Sequence, residues 1–209
     1  MDKEDGIFMK IMKQKIKLLC PQLIFLIVTF CIFMPSSLFL GNLDEFAVGF
    51  TALIPLLMAA SLITAAVVIL IGLIVPKKIC NIYAAVIFGG ALAAYVQGNF
   101  LNPDFGVLNG RQIQWSQFKV NGIISTVVWI VLIVVPAVIV CFKKDIMTNI
   151  IKWGSLFLSS IQVVTLVVLI VSSKRSVDYS YVVTKNDEFA LSSQGNVVVF
   201  IGDTLDNED

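Results

Sequence analysis

Apolar residues in this chain fall in long unbroken runs. They show neither the alternation of a half-buried strand nor the three-and-four spacing of an amphipathic helix. Runs at 18–40, 46–75, 79–97, 122–142 and 153–172 contain no Asp, Glu, Lys or Arg. A helix crossing about 30 Å of hydrocarbon needs about 20 apolar residues, so each run predicts a transmembrane helix. Pro21 lies near the start of the first run, where a missing N–H is tolerated, and the second run stops at Pro76-Lys77-Lys78. Pro55 and Pro136 predict kinks in the second and fourth spans, because each removes an i→i−4 hydrogen bond.

Within the runs, small residues form stripes. Ala60 and Thr64 lie four apart, Ala85, Gly89 and Ala93 make one stripe, and Gly90 and Ala94 another. Such stripes let helix backbones approach closely where lipid supplies no hydrophobic drive for association. A groove for a lipid tail is the functional alternative. The predicted membrane domain therefore covers 18–172 as an all-α bundle of five transmembrane helices, behind a basic segment at 1–17.

The polar segments between the runs carry the remaining signals. Asn99 to Asn121 contains the turn signals Asn102-Pro103-Asp104 and Asn109-Gly110, with Phe100, Phe105, Trp115 and Phe118 suited to the headgroup level. That loop reads as an interfacial anchor, or as a platform for an outside domain or an anionic lipid-linked substrate with Arg111 and Lys119 supplying charge. From 173 onward the pattern changes. Ser180 to Thr184 predicts a short strand and Asn196 to Ile201 a buried one, ending in Gly202-Asp203-Thr204. An Asp at the carboxyl end of a buried strand is a common position for catalytic or metal-binding groups, although a loop cap explains it equally well. Two strands alone bury too little surface to be stable, so 173–209 is expected to be the truncated, β-containing start of an α/β domain.

Composition narrows the function classes. The chain has 209 residues, 58% apolar and 14% charged, with a mean hydropathy of +0.93. Those values exclude a soluble globule, a disordered chain and a nucleic-acid partner. Histidine is absent, which removes the commonest general base and zinc ligand. Cys20, Cys31, Cys80 and Cys141 are scattered through apolar sequence and read as small packing residues. The spans hold no ionisable group, which argues against an ion pump or proton-coupled transporter.

Charge sets the expected orientation. Lys3, Lys10, Lys13, Lys15, Lys17, Lys77, Lys78, Lys143, Lys144 and Lys152 share one side of the predicted topology. Arg111, Lys119, Lys174, Arg175 and Lys185 share the other. The positive-inside rule then puts the N-terminus in the cytoplasm and the tail outside. The first run is too long for a signal-peptide core and no small-x-small site follows it before Gly41, so it reads as an uncleaved anchor. Gly6 to Ile16 is either an interfacial amphipathic turn or the start of the first helix.

The loop Q-G-N-F-L-N-P-D-F-G-V-L-N-G-R-Q-I-Q-W-S-Q-F and the tail F-A-L-S-S-Q-G-N-V-V-V-F-I-G-D-T-L-D, set behind five spans, resemble the sulfatase-like hydrolase/transferase membrane proteins. These belong to the alkaline phosphatase superfamily and share the layout of lipoteichoic acid synthases. The resemblance implies a bacterial inner-membrane protein whose catalytic domain lies outside the cytoplasm. It also implies that Asp203 would ligate the divalent cation of the complete enzyme. The family's nucleophile segment and later Asp-His metal pair have no counterpart in these residues, so this chain alone is expected to be inactive and to bind no metal. The resulting expectation is the membrane anchor of a hydrolase or phospho-group transferase acting on cell-envelope polymers, with envelope polysaccharide or a lipid-linked substrate as partner. The alternative is a non-catalytic membrane scaffold that recruits an extracytoplasmic partner.

Overall fold

The computed structural model describes residues 2–43, 46, 48–103 and 115–173. Helix α1 (Asp2–Leu26) runs without a break into a π-helical stretch (Ile27–Phe33) and then α2 (Met34–Gly41). A short 3-10 turn (Phe50–Leu53) opens α3 (Ile54–Ile74). After a tight turn, α4 (Cys80–Val96) follows and ends in a π turn (Gln97–Leu101). A second 3-10 turn (Trp115–Phe118) leads into α5 (Lys119–Phe142), and α6 (Lys144–Ser172) completes the order. Five segments are long and apolar enough to cross a membrane: Met9–Gly41, Phe50–Ile74, Cys80–Leu101, Trp115–Phe142 and Lys144–Ser172. No strand occurs among the described residues, and the strands expected at 180–184 and 196–201 lie outside them.

Helices α1, α5 and α6 begin before the apolar runs that predict them, whereas α3 begins later. Helix α1 starts at Asp2, so the basic segment is its first turns and Gly6 to Ile16 is continuous helix. Helix α6 starts at Lys144, with Asp145 in its first turn beside the positive end of the helix dipole. Two proline expectations change accordingly. Pro55 stands in the first turn of α3, directly after the 3-10 turn, rather than in the interior of the helix. Pro21, expected near a helix start, is inside α1, while Pro136 is inside α5 as expected.

The core is built around α1 and α4, which pack on each other. Helix α3 lies against α1 and its π stretch, α5 lies against α4, and α6 closes on α1 with further contact to α4 and α5. One cluster joins Phe25, Phe88, Val140, Met147 and Ile151 around Ala85 and Ala91. A second joins Leu19, Leu23, Val68, Cys80, Ala84 and Ile87. The small residues of α4 make this possible. At Gly89 an added Cβ would run into the carbonyl oxygen of Leu132 and sit 2.8 Å from the Ile133 Cα, so α5 passes over bare backbone. Gly90 faces open space, so of the two expected stripes the Gly89 stripe holds the close approach to α5. Much of α3 and α5 presents Leu, Ile and Val outward, from Leu56, Leu62 and Ile74 to Val127 and Phe142, as a lipid-facing surface requires.

Candidate functional site: a buried polar seam below a lysine rim

Neutral polar side chains line the junction of α1 and α6. Gln22, Thr29 and Ser36 recur every seven residues along the first span, and Ser155, Ser159 and Gln162 follow one face of α6. All six are buried. At the centre, Thr29 Oγ1 donates to the Phe25 carbonyl at 2.7 Å and accepts from Gln162 Nε2 at 3.0 Å. Ser159 Oγ donates to the Ser155 carbonyl at 2.7 Å. Gln22, with its amide nitrogen turned toward its own helix, donates to Leu18 O at 2.6 Å and Leu19 O at 3.2 Å. Ser36 Oγ and Ser155 Oγ have no hydrogen-bond partner among the described residues.

The π-helical stretch positions the middle of this seam. Pro35 has no N–H to return to the preceding turn, and its ring crowds the carbonyl there. The widened turn instead brings the Met34 N–H onto the Thr29 carbonyl, an i→i−5 bond. The resulting seam is neutral along its whole length. It can hold two helices in register by hydrogen bonding, but it offers no group that titrates or carries charge across a membrane.

Above the seam, one end of the bundle gathers lysines from α1, from the α3–α4 turn and from α6. Among the described residues, two of them donate hydrogen bonds to the protein. Lys15 Nζ donates to Leu73 O at 2.8 Å and Val75 O at 2.6 Å, which satisfies orphan carbonyls at the end of α3. Lys77 Nζ donates to Gln14 Oε1 at 3.1 Å. Both line a cleft of about 220 Å³ with Lys144 and Asn81. A second cleft, of about 250 Å³, opens between α1 and α6 and is lined by Lys17, Lys152, Gln14, Thr148 and Gln22, among others. The opposite end has one lysine among the described residues, Lys119.

The residues expected to carry chemistry fare differently. Asp203 lies outside the described residues, as do Asp104, Phe105 and Arg111 of the loop. Phe100 and Trp115, which flank the part of that loop outside the described residues, are 73% and 65% exposed. The Phe100 ring meets Tyr95 edge-on at 6.4 Å, and Gln97 bridges Asn102 and the Trp129 indole at 3.1 and 3.3 Å. Among the described residues, no group of three or more Cys, Asp or Glu could hold a metal ion. The four cysteines are free, Cys31 and Cys80 buried and Cys20 and Cys141 exposed.

A search of the spans for ionisable groups alone passes over the seam. The partial signal was the heptad recurrence of Gln22, Thr29 and Ser36, beside the four-and-three spacing of Ser155, Ser159 and Gln162. No family model matches this chain, and neither a curated protein nor a solved structure matches it significantly.

Proposed function

We propose that this chain is a multi-pass membrane anchor that carries its C-terminal segment to the face opposite its lysines. In this reading it serves a sulfatase-like hydrolase or phospho-group transferase that works on cell-envelope polymers. Its membrane is the bacterial inner membrane, with the N-terminus cytoplasmic. One observation carries the proposal: lysines from α1, the α3–α4 turn and α6 gather at one end of the bundle, while α6 leaves the described residues at Ser173 on the other. Positive charge of this kind is retained on the cytoplasmic side during insertion, which sends the segment after Ser173 outward. The neutral interior adds support, since an anchor needs tight packing and no ion path. The sulfatase-like part of the reading rests on the loop and tail motifs. The role of Asp203 as a cation ligand belongs to that same part.

Substituted-cysteine labelling tests the orientation. Cys20, Cys31, Cys80 and Cys141 are replaced by Ala, and Lys13→Cys, Asn109→Cys and Ser193→Cys are introduced singly. In sealed cells a membrane-impermeant maleimide is expected to label positions 109 and 193, and to label 13 only after permeabilisation. Labelling at 13 alone in sealed cells would reverse the topology and remove the ground for an envelope enzyme's anchor.

A further inference from the structure

Not every lysine at the basic end is spent on the protein. Lys15 caps α3 and Lys77 binds Gln14. Lys17 and Lys152, one from each wall of the α1–α6 cleft, make no hydrogen bond or ion pair with the protein among the described residues. Lys152 only leans over the exposed Trp153 ring, 5.0 Å from its centroid. We propose that this cleft binds the phosphate headgroup of an anionic phospholipid, held between the Lys17 and Lys152 ammonium groups.

Three observations carry the assignment beyond a general attraction of lysines to lipid. The first is depth. Lys17 directly precedes the first apolar run and Lys152 directly precedes Trp153, so the cleft sits where headgroups lie. The second is shape. A recess of about 250 Å³ between two helices sets the apolar Leu18 and Pro21 beside the two lysines, the pairing of apolar and cationic surface that a phospholipid's headgroup and glycerol region would use. That pairing favours a lipid over a free phosphate ion. The third is polarity. Gln22 lies on the floor and Thr148 on the wall, while Asp145, the one carboxylate whose side chain is described at this end, is not among the lining residues. Two ammonium groups with no carboxylate between them form charge-assisted hydrogen bonds to a phosphate without competition. The assignment does not depend on which side of the membrane the lysines face.

The test uses the full chain in nanodiscs of phosphatidylcholine containing one fifth phosphatidic acid, followed by extraction and native mass spectrometry of retained lipid. The unaltered protein is expected to keep phosphatidic acid in preference to phosphatidylcholine. The Lys17→Gln/Lys152→Gln variant is expected to retain about tenfold less. Removal of the same charge at Lys78→Gln/Lys143→Gln is expected to cost less than about threefold, the share due to the surface field. Lys17→Arg/Lys152→Arg should restore retention, which separates loss of the site from loss of the fold. Equal losses in the two glutamine variants would reduce the effect to surface charge and overturn the site. If millimolar inorganic phosphate displaced the lipid and raised the Tm in neutral detergent as much as phosphatidic acid does, the lipid assignment would also fall.

Discussion

At the scale of single residues, the bundle depends on a few positions where chemistry and geometry both leave no slack. Thr29 and Gln162 are one such pair, bonded at 3.0 Å in a neutral interior. Interhelical hydrogen bonds of this kind couple by about 0.6 kcal/mol and rarely by more than about 1.7, because the separated helices find other partners. A double-mutant cycle of Thr29→Val and Gln162→Leu, followed by thermal unfolding in detergent, is expected to give a coupling in that range. A coupling of zero would mean that the two side chains do not act together. Gly89 is the second position. Gly89→Ala pushes a methyl group into the α5 backbone and is expected to cost about 1–3 kcal/mol, the usual range for overpacking. Gly90→Ala, with nothing near its Cβ, is expected to be neutral or slightly stabilising. Equal Tm values for the two variants would refute the close approach of α4 and α5.

At the scale of elements, the existence of each helix was legible, and so were the C-terminal ends of α3, α5 and α6 to within a residue, while the starts of α1, α3 and α6 were not. Uniform apolar runs announce five spans, because in lipid only a helix satisfies its backbone hydrogen bonds within one segment. Nothing in that argument says how far a helix extends back into water before its apolar run begins. Helix α1 therefore reaches back through five lysines to Asp2, and α6 begins at Lys144. The roles of Pro21 and Pro55 depended on those ends and changed with them. The end of α3 was legible at Pro76, but the contact that holds it was not, since it comes from Lys15, 58 and 60 residues away from the carbonyls of Leu73 and Val75. Lys15→Met keeps the aliphatic stem and removes the donor. It is expected to lose about 1.5–3 kcal/mol, the value of a hydrogen bond to a charged group, and to expose the 74–79 turn to proteolysis. An unchanged cleavage pattern and Tm would show that water serves those carbonyls equally well.

At the scale of the whole molecule, the helix partners could not be read from the chain. Lipid-facing and buried positions are almost equally apolar here, so composition separates α1 and α4 from α3 and α5 only weakly. The seam was not legible either. Gln22, Thr29 and Ser36 recur every seven residues, but neutral polar residues such as Ser61, Thr64, Thr126 and Ser160 also lie in the spans, so spacing alone does not name the pair of helices that meet. The site chemistry expected at Asp203 belongs to residues outside those described.

The distance between the two halves of that seam has a consequence for biosynthesis. Thr29 and Gln162 are 133 residues apart. At about 5–20 residues per second, roughly 7–27 s of translation separate the arrival of one from the arrival of the other. Through that interval Gln22, Thr29 and Ser36 stand in the membrane without their final neighbours. Helix α1 thus waits for α6, and a chain stalled before α6 leaves Thr29 without the Gln162 amide that it accepts from in the finished bundle.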